Sequence, residues 1–111
     1  MKGTIKTKGE IDALFLNGTK VNGKGFLLIF IETSERGSKG RVAFIAGKKL
    51  GSAPRRNYAK RVMRHVAHEN GFPIPGIDVI FVAKKQLFDM EHSDVVSDLK
   101  RISSRFGFYD S

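Results

Sequence analysis

The chain has 111 residues, enough for one domain and little more. Hydrophobic residues make up 41% and charged residues 28%, which supports a packed core and excludes global disorder; the absence of cysteine excludes disulfide scaffolds, thiolate zinc sites and thiol nucleophiles. Lys and Arg number 20 against 11 Asp and Glu, and the net charge of +9 calls for a polyanionic partner, because each neutralised phosphate releases condensed counterions.

In chain order, residues 8–16 place Ile11, Leu14 and Phe15 at i, i+3 and i+4, the spacing of a short amphipathic helix that Asn17-Gly18 ends. Residues 19–21 read as a short strand before the turn signal Asn22-Gly23. Residues 25–32 (GFLLIFIE) read as a buried strand, with Phe26, Leu28 and Phe30 on one face and Leu27, Ile29 and Ile31 on the other. A polar loop over 33–40 leads to a second strong strand at 41–47, and these two strands are expected to pair antiparallel as a long hairpin. Residues 52–69 form the main helix, with Ser52 as N-cap and Pro54 in the first turn; Asn70-Gly71, Pro73 and Pro75 stop it. Residues 77–83 supply another strand. Residues 91–106 supply a last helix, striped with Val95, Leu99, Ile102 and Phe106. The fold expected is α+β, a mixed, mainly antiparallel sheet of about four strands packed with about three helices in the order αβββαβα. No apolar run approaches the ~20 residues of a bilayer span, so the chain reads as cytoplasmic, without a membrane partner.

The excess charge is concentrated. Residues 36–68 hold ten basic residues and no acidic one, which leaves the rest of the chain near neutral. On a helical wheel, Arg56, Asn57, Lys60, Arg61, Arg64 and His68 share one side of the main helix, and Tyr58, Ala59, Val62, Met63 and Val66 take the other. Like charges at this spacing repel, whereas a solvated helix face ordinarily mixes signs, so the arrangement points to nucleic acid. Arg pairs bidentately with phosphate, Lys acts as a point charge, and Asn57 can reach a base edge or a ribose hydroxyl. Gly47-Lys48-Lys49-Leu50-Gly51 sets two more lysines on a turn at the helix entrance.

The run Lys48-Lys49-Leu50-Gly51-Ser52-Ala53, followed by Arg56-Asn57-Tyr58-Ala59-Lys60-Arg61 and Arg64, resembles the motif of bacterial ribonuclease P protein components. Tyr58 stands at the second arginine of the family's arginine–asparagine–arginine motif, and Ile11 and Ile29 stand where the family carries aromatics. The resemblance covers most of the chain and implies one RNA-binding domain over residues 1–111. It implies a holoenzyme that removes the 5′ leader of precursor tRNA by phosphodiester hydrolysis, using magnesium ions held mainly by the RNA. The protein would supply no catalytic residue and hold no cofactor tightly. It would be monomeric in a one-to-one ribonucleoprotein, improving substrate affinity and function at low magnesium. Docking on the catalytic RNA falls to Lys48, Lys49, Arg55, Arg56, Asn57, Lys60, Arg61 and Arg64. A cleft between the first helix and the sheet would hold the single-stranded leader, with Ile11, Phe15, Phe26, Leu28, Ile29, Phe30 and Phe44 as candidates. A left-handed crossover between parallel strands is also implied.

The residues alone leave other readings open. A ribosomal-type structural RNA binder shares the basic helix, and a DNA-binding module is a weaker third, because no helix–turn–helix pair precedes that helix. His65, His68 and Glu69 lack the third and fourth partners a zinc site needs nearby, and the histidines read as a solvated pair. Glu91, Asp94 and Asp98 recur at i, i+3 and i+7 and read as an exposed polar face rather than a two-metal site. His92 and Ser93 have no partner acid that spacing justifies.

Overall fold

The computed structural model describes residues 8–32 and 40–105. The elements run α1 (Lys8–Asn17), β1 (Thr19–Asn22), β2 (Phe26–Glu32), β3 (Arg41–Ile45), α2 (Ala53–Glu69), β4 (Ile77–Ala83) and α3 (His92–Arg105), with 3-10 turns at Lys48–Leu50 and Lys85–Asp89. Phe106 and most of the polar loop expected after β2 lie outside the described residues. Ser52 holds the N-cap position of α2 with extended backbone and no side-chain capping bond, and Pro54 sits in the first turn. At the other end, Asn70 Nδ2 donates to the Val66 carbonyl at 2.8 Å and closes the helix. Among the described residues no helix is long and apolar enough to cross a membrane.

The four strands lie in the order β1-β2-β4-β3, with β2 antiparallel to β1 and β4, and β3 parallel to β4. The expected β2–β3 hairpin is therefore absent: β4 sits between its two strands. The composition of β4 explains the insertion. IDVIFVA is apolar on both faces and buries nearly every side chain, as a central strand does. β3 begins with Arg41 and takes the edge, where Arg41 Nη2 meets Asp78 Oδ2 of β4 at 2.8 Å across the register pair Arg41–Asp78. β3, α2 and β4 consequently form a parallel crossover unit.

Strand alternation divides the core in two. On one face the cross-strand rows Leu28–Phe81–Phe44 and Phe30–Val79–Val42 carry Ala59, Met63, Val66 and Ala67 of α2 and Val95, Leu99 and Ile102 of α3. Phe81 is ringed by Phe26, Phe72 and Phe44 at centroid distances of 5.5, 5.4 and 5.3 Å. On the other face the row Ile29–Ile80–Ala43 lies under Leu14 of α1.

Asp98 departs from the exposed polar face expected of α3, being only 4% exposed. Its Oδ2 accepts the Lys24 backbone N–H at 2.7 Å and its Oδ1 accepts Arg101 Nη2 at 2.7 Å, which ties α3 to the β1–β2 turn. Gly23 permits the approach, since a Cβ there would come within 2.6 Å of Asp98 Oδ2.

Candidate nucleic-acid interface

The cationic surface starts at the turn Lys48–Leu50. Leu50 is buried and anchors it, which leaves Lys48 and Lys49 exposed. Gly51 then takes φ +121°, a conformation open to glycine, and redirects the chain into α2. Arg55 clamps this entrance: its Nε donates to the Leu50 carbonyl at 3.0 Å, and its guanidinium lies 4.0 Å from the Phe88 ring centroid.

Along α2 the cations reach solvent over the buried line of Ala59, Met63 and Val66. Asn57, Arg61 and Arg64 are exposed, Arg56 and Lys60 half-buried, and Arg56 Nε is buried without a hydrogen-bond partner. Val62 is half-buried beside this line. Tyr58 departs from the apolar side expected of it. It is 44% exposed, stacked on Phe88 at 6.1 Å, with the Arg61 guanidinium 5.7 Å from its centroid. Arg64 is held similarly, 5.6 Å from the Phe44 ring. Among the described residues none of Lys48, Lys49, Arg55, Arg56, Lys60, Arg61 and Arg64 has an ion-pair partner; the pairs formed are Arg41–Asp78, Arg101–Asp98 and the two histidine contacts of Glu69. All eight docking residues expected from the sequence thus belong to one continuous segment, the 3-10 turn and the first twelve residues of α2.

The seven residues expected in the leader cleft do not share one surface. Ile11, Phe15 and Ile29 belong to the α1 side of the sheet, whereas Phe26, Leu28, Phe30 and Phe44 belong to the side under α2 and α3. The reason is the strand period: residues 26, 28 and 30 point opposite to 27, 29 and 31. Phe26 and Leu28, 1% and 0% exposed, are closed core, and Ile29 is the buried floor beneath α1. What the α1 side does present is a half-buried cross-strand row, Leu27–Val82–Ile45, beside Ile11 and Phe15. Leu27, Ile45 and Val82 were missing from the expected set. Two-residue spacing from Ile29 points to Leu27, but Val82 and Ile45 require the β2–β4–β3 order.

Magnesium prefers an all-oxygen donor set. Among the described residues the grouping of three potential ligands is His65, Glu69 and His92, two imidazoles and one carboxylate, which does not fit that ion.

The Ribonuclease P family model matches residues 2–107. A ribonuclease P protein component from a Nitratiruptor species is 32% identical over 107 residues, covering 95% of this chain and 94% of the relative. The protein of that name from Streptococcus pyogenes serotype M5 is 30% identical over 104 residues, covering 92% and 86%. Among solved structures, the RNase P protein of Staphylococcus aureus superposes with a TM-score of 0.82 at 22% identity, over 98% of this chain and 99% of that one. The RNase P protein of Thermotoga maritima gives 0.77 at 21% identity, over 92% and 96%. At these identities the structural matches speak for the shared fold.

Proposed function

Because the chain belongs to the ribonuclease P protein family, we propose that it serves as the protein subunit of the ribonucleoprotein that removes 5′ leaders from precursor tRNA. In this reading the turn at Lys48–Leu50 and the cationic face of α2 dock on the catalytic RNA, and the apolar strip beside α1 receives the single-stranded leader. The observation that carries it is a run of seven cations that form no ion pair among the described residues, one of them Arg56 with its Nε unpartnered. RNA phosphates are the acceptors this face lacks. Family membership leaves the ribosomal-type and DNA-binding alternatives with no observation in their favour.

In the same reading, magnesium-assisted hydrolysis falls to the RNA. The protein contributes binding and orientation. Cations that neutralise phosphate repulsion lower the magnesium that folding and substrate capture demand, and half-exposed apolar side chains such as Phe15 offer faces on which leader bases stack. Because α1 and α2 cover opposite faces of the sheet, one small monomer can hold RNA and leader together in a one-to-one complex.

Precursor-tRNA cleavage at low magnesium, by ribonuclease P RNA with and without this protein, tests the reading. Strong stimulation at the mature 5′ end, with no cleavage by protein alone, is the expected result. RNA binding that is salt-sensitive yet leaves cleavage unstimulated overturns it.

A further inference from the structure

Glu69 ends α2, and its Oε1 lies 2.8 Å from Nε2 of His65, one turn earlier, and 2.9 Å from Nε2 of His92, the first residue of α3. The three donor atoms fall within 4.8 Å of one another, and the two imidazole centroids are 5.2 Å apart. All three side chains are exposed. The sequence pairs His65 with His68; the fold instead supplies His92 from a different helix. As hydrogen bonds alone, the cluster needs both imidazoles to present Nε2–H to one carboxylate oxygen. As a coordination set, two imidazole nitrogens and a carboxylate oxygen are the donors zinc takes, at about 2.0–2.2 Å in tetrahedral geometry.

We propose that His65, Glu69 and His92 form a site for a divalent transition cation of the zinc class, with the fourth position open to solvent. Tetrahedral arms of zinc length hold donors about 3.4 Å apart, so the two short contacts open by roughly half an ångström. Exposed side chains on helix ends make that adjustment through small rotations. The ligands come from two helices, so the ion cross-links the end of α2 to the start of α3 and stabilises their packing. His65 follows Arg61 by one turn, which sets the site at the margin of the cationic face.

Calorimetric titration of the full chain with zinc chloride at neutral pH, paired with thermal melts, tests the assignment. One zinc per chain is expected, with a melting temperature raised by about 10 °C at a hundredfold excess over Kd. His65→Ala, His92→Ala and Glu69→Gln each weaken binding roughly tenfold or more and remove most of the shift, whereas His68→Ala leaves both unchanged and magnesium reproduces neither. Wild-type affinity in His92→Ala, or no zinc uptake by the wild-type chain, overturns the proposal. Should the alanine variants fail to fold, imidazole NMR resonances of the wild-type chain decide. Zinc-induced shifts at His65 and His92 support the site, and shifts confined to His68 overturn it.

Discussion

Tyr58 puts a ring where the arginine–asparagine–arginine motif has its second arginine, and the ring does not turn inward. It lies between Phe88 and the Arg61 guanidinium, while Arg55 covers Phe88. The ladder Arg61–Tyr58–Phe88–Arg55 holds two cations on the basic face of α2 by ring contacts worth about 0.5–1 kcal/mol each at an exposed site, in place of the acids that usually position them. The wheel put Tyr58 on the apolar side, and what draws it outward is Phe88, a partner thirty positions away that no local pattern names. Charge arithmetic then gives opposite outcomes at neighbouring positions. Arg61→Ala flattens the salt dependence of binding to ribonuclease P RNA by about one unit of log–log slope, and Tyr58→Arg, which adds a cation, steepens it by about one unit. Dissociation constants measured across a salt series check both. An unchanged slope in the two variants removes this turn of α2 from the docking face.

At the scale of elements, α3 is held by more than its apolar stripe. The buried Asp98 carboxylate joins it to the Lys24 backbone and to Arg101, so Asp98→Ala leaves a partly buried N–H unsatisfied and costs about 2–4 kcal/mol, read as a shifted denaturation midpoint. A loss within ~0.5 kcal/mol makes the contact incidental. Val66→Ala, in the buried line of α2, costs about 1–3 kcal/mol and leaves the salt slope of RNA binding untouched, which separates the packing side of that helix from its docking side. Element boundaries were legible because their causes are local: the i, i+3, i+4 spacing of α1, the Pro54 entry and Asn70 exit of α2, the apolar run of β4. Pairing was not. An eight-residue polar loop after β2 imposes no hairpin geometry, and nothing near β2 or β3 announces that a strand apolar on both sides will enter between them. Asp98 was misread because one of its two partners, the Lys24 backbone N–H, lies 74 residues away in sequence, although Arg101 is only three positions on.

For the whole molecule the sheet is a partition, with a charged surface built on one side and an apolar strip on the other. The cationic segment was legible as residues because charge, helical period and motif coincide in one continuous stretch. The strip is assembled from α1, β2, β3 and β4, and its membership depends on strand order. The partition predicts that Phe15 and Phe26, close in sequence, act differently. Phe15 is half-buried on the α1 side, and stacking against a leader base is worth about 1–3 kcal/mol. Phe15→Ala should therefore weaken holoenzyme binding of leader-bearing precursor by roughly 5- to 150-fold, leave binding of leaderless tRNA unchanged, and do so equally at low and high salt. Phe26 is enclosed beside Phe81, so Phe26→Ala costs about 3–5 kcal/mol of stability and, once the folded fraction is accounted for, leaves the preference for leader-bearing over leaderless substrate intact. Binding of both substrates by each variant holoenzyme, alongside denaturant melts of each protein, separates the two roles. A preference lost in Phe26→Ala and kept in Phe15→Ala would put the leader on the α2 side of the sheet.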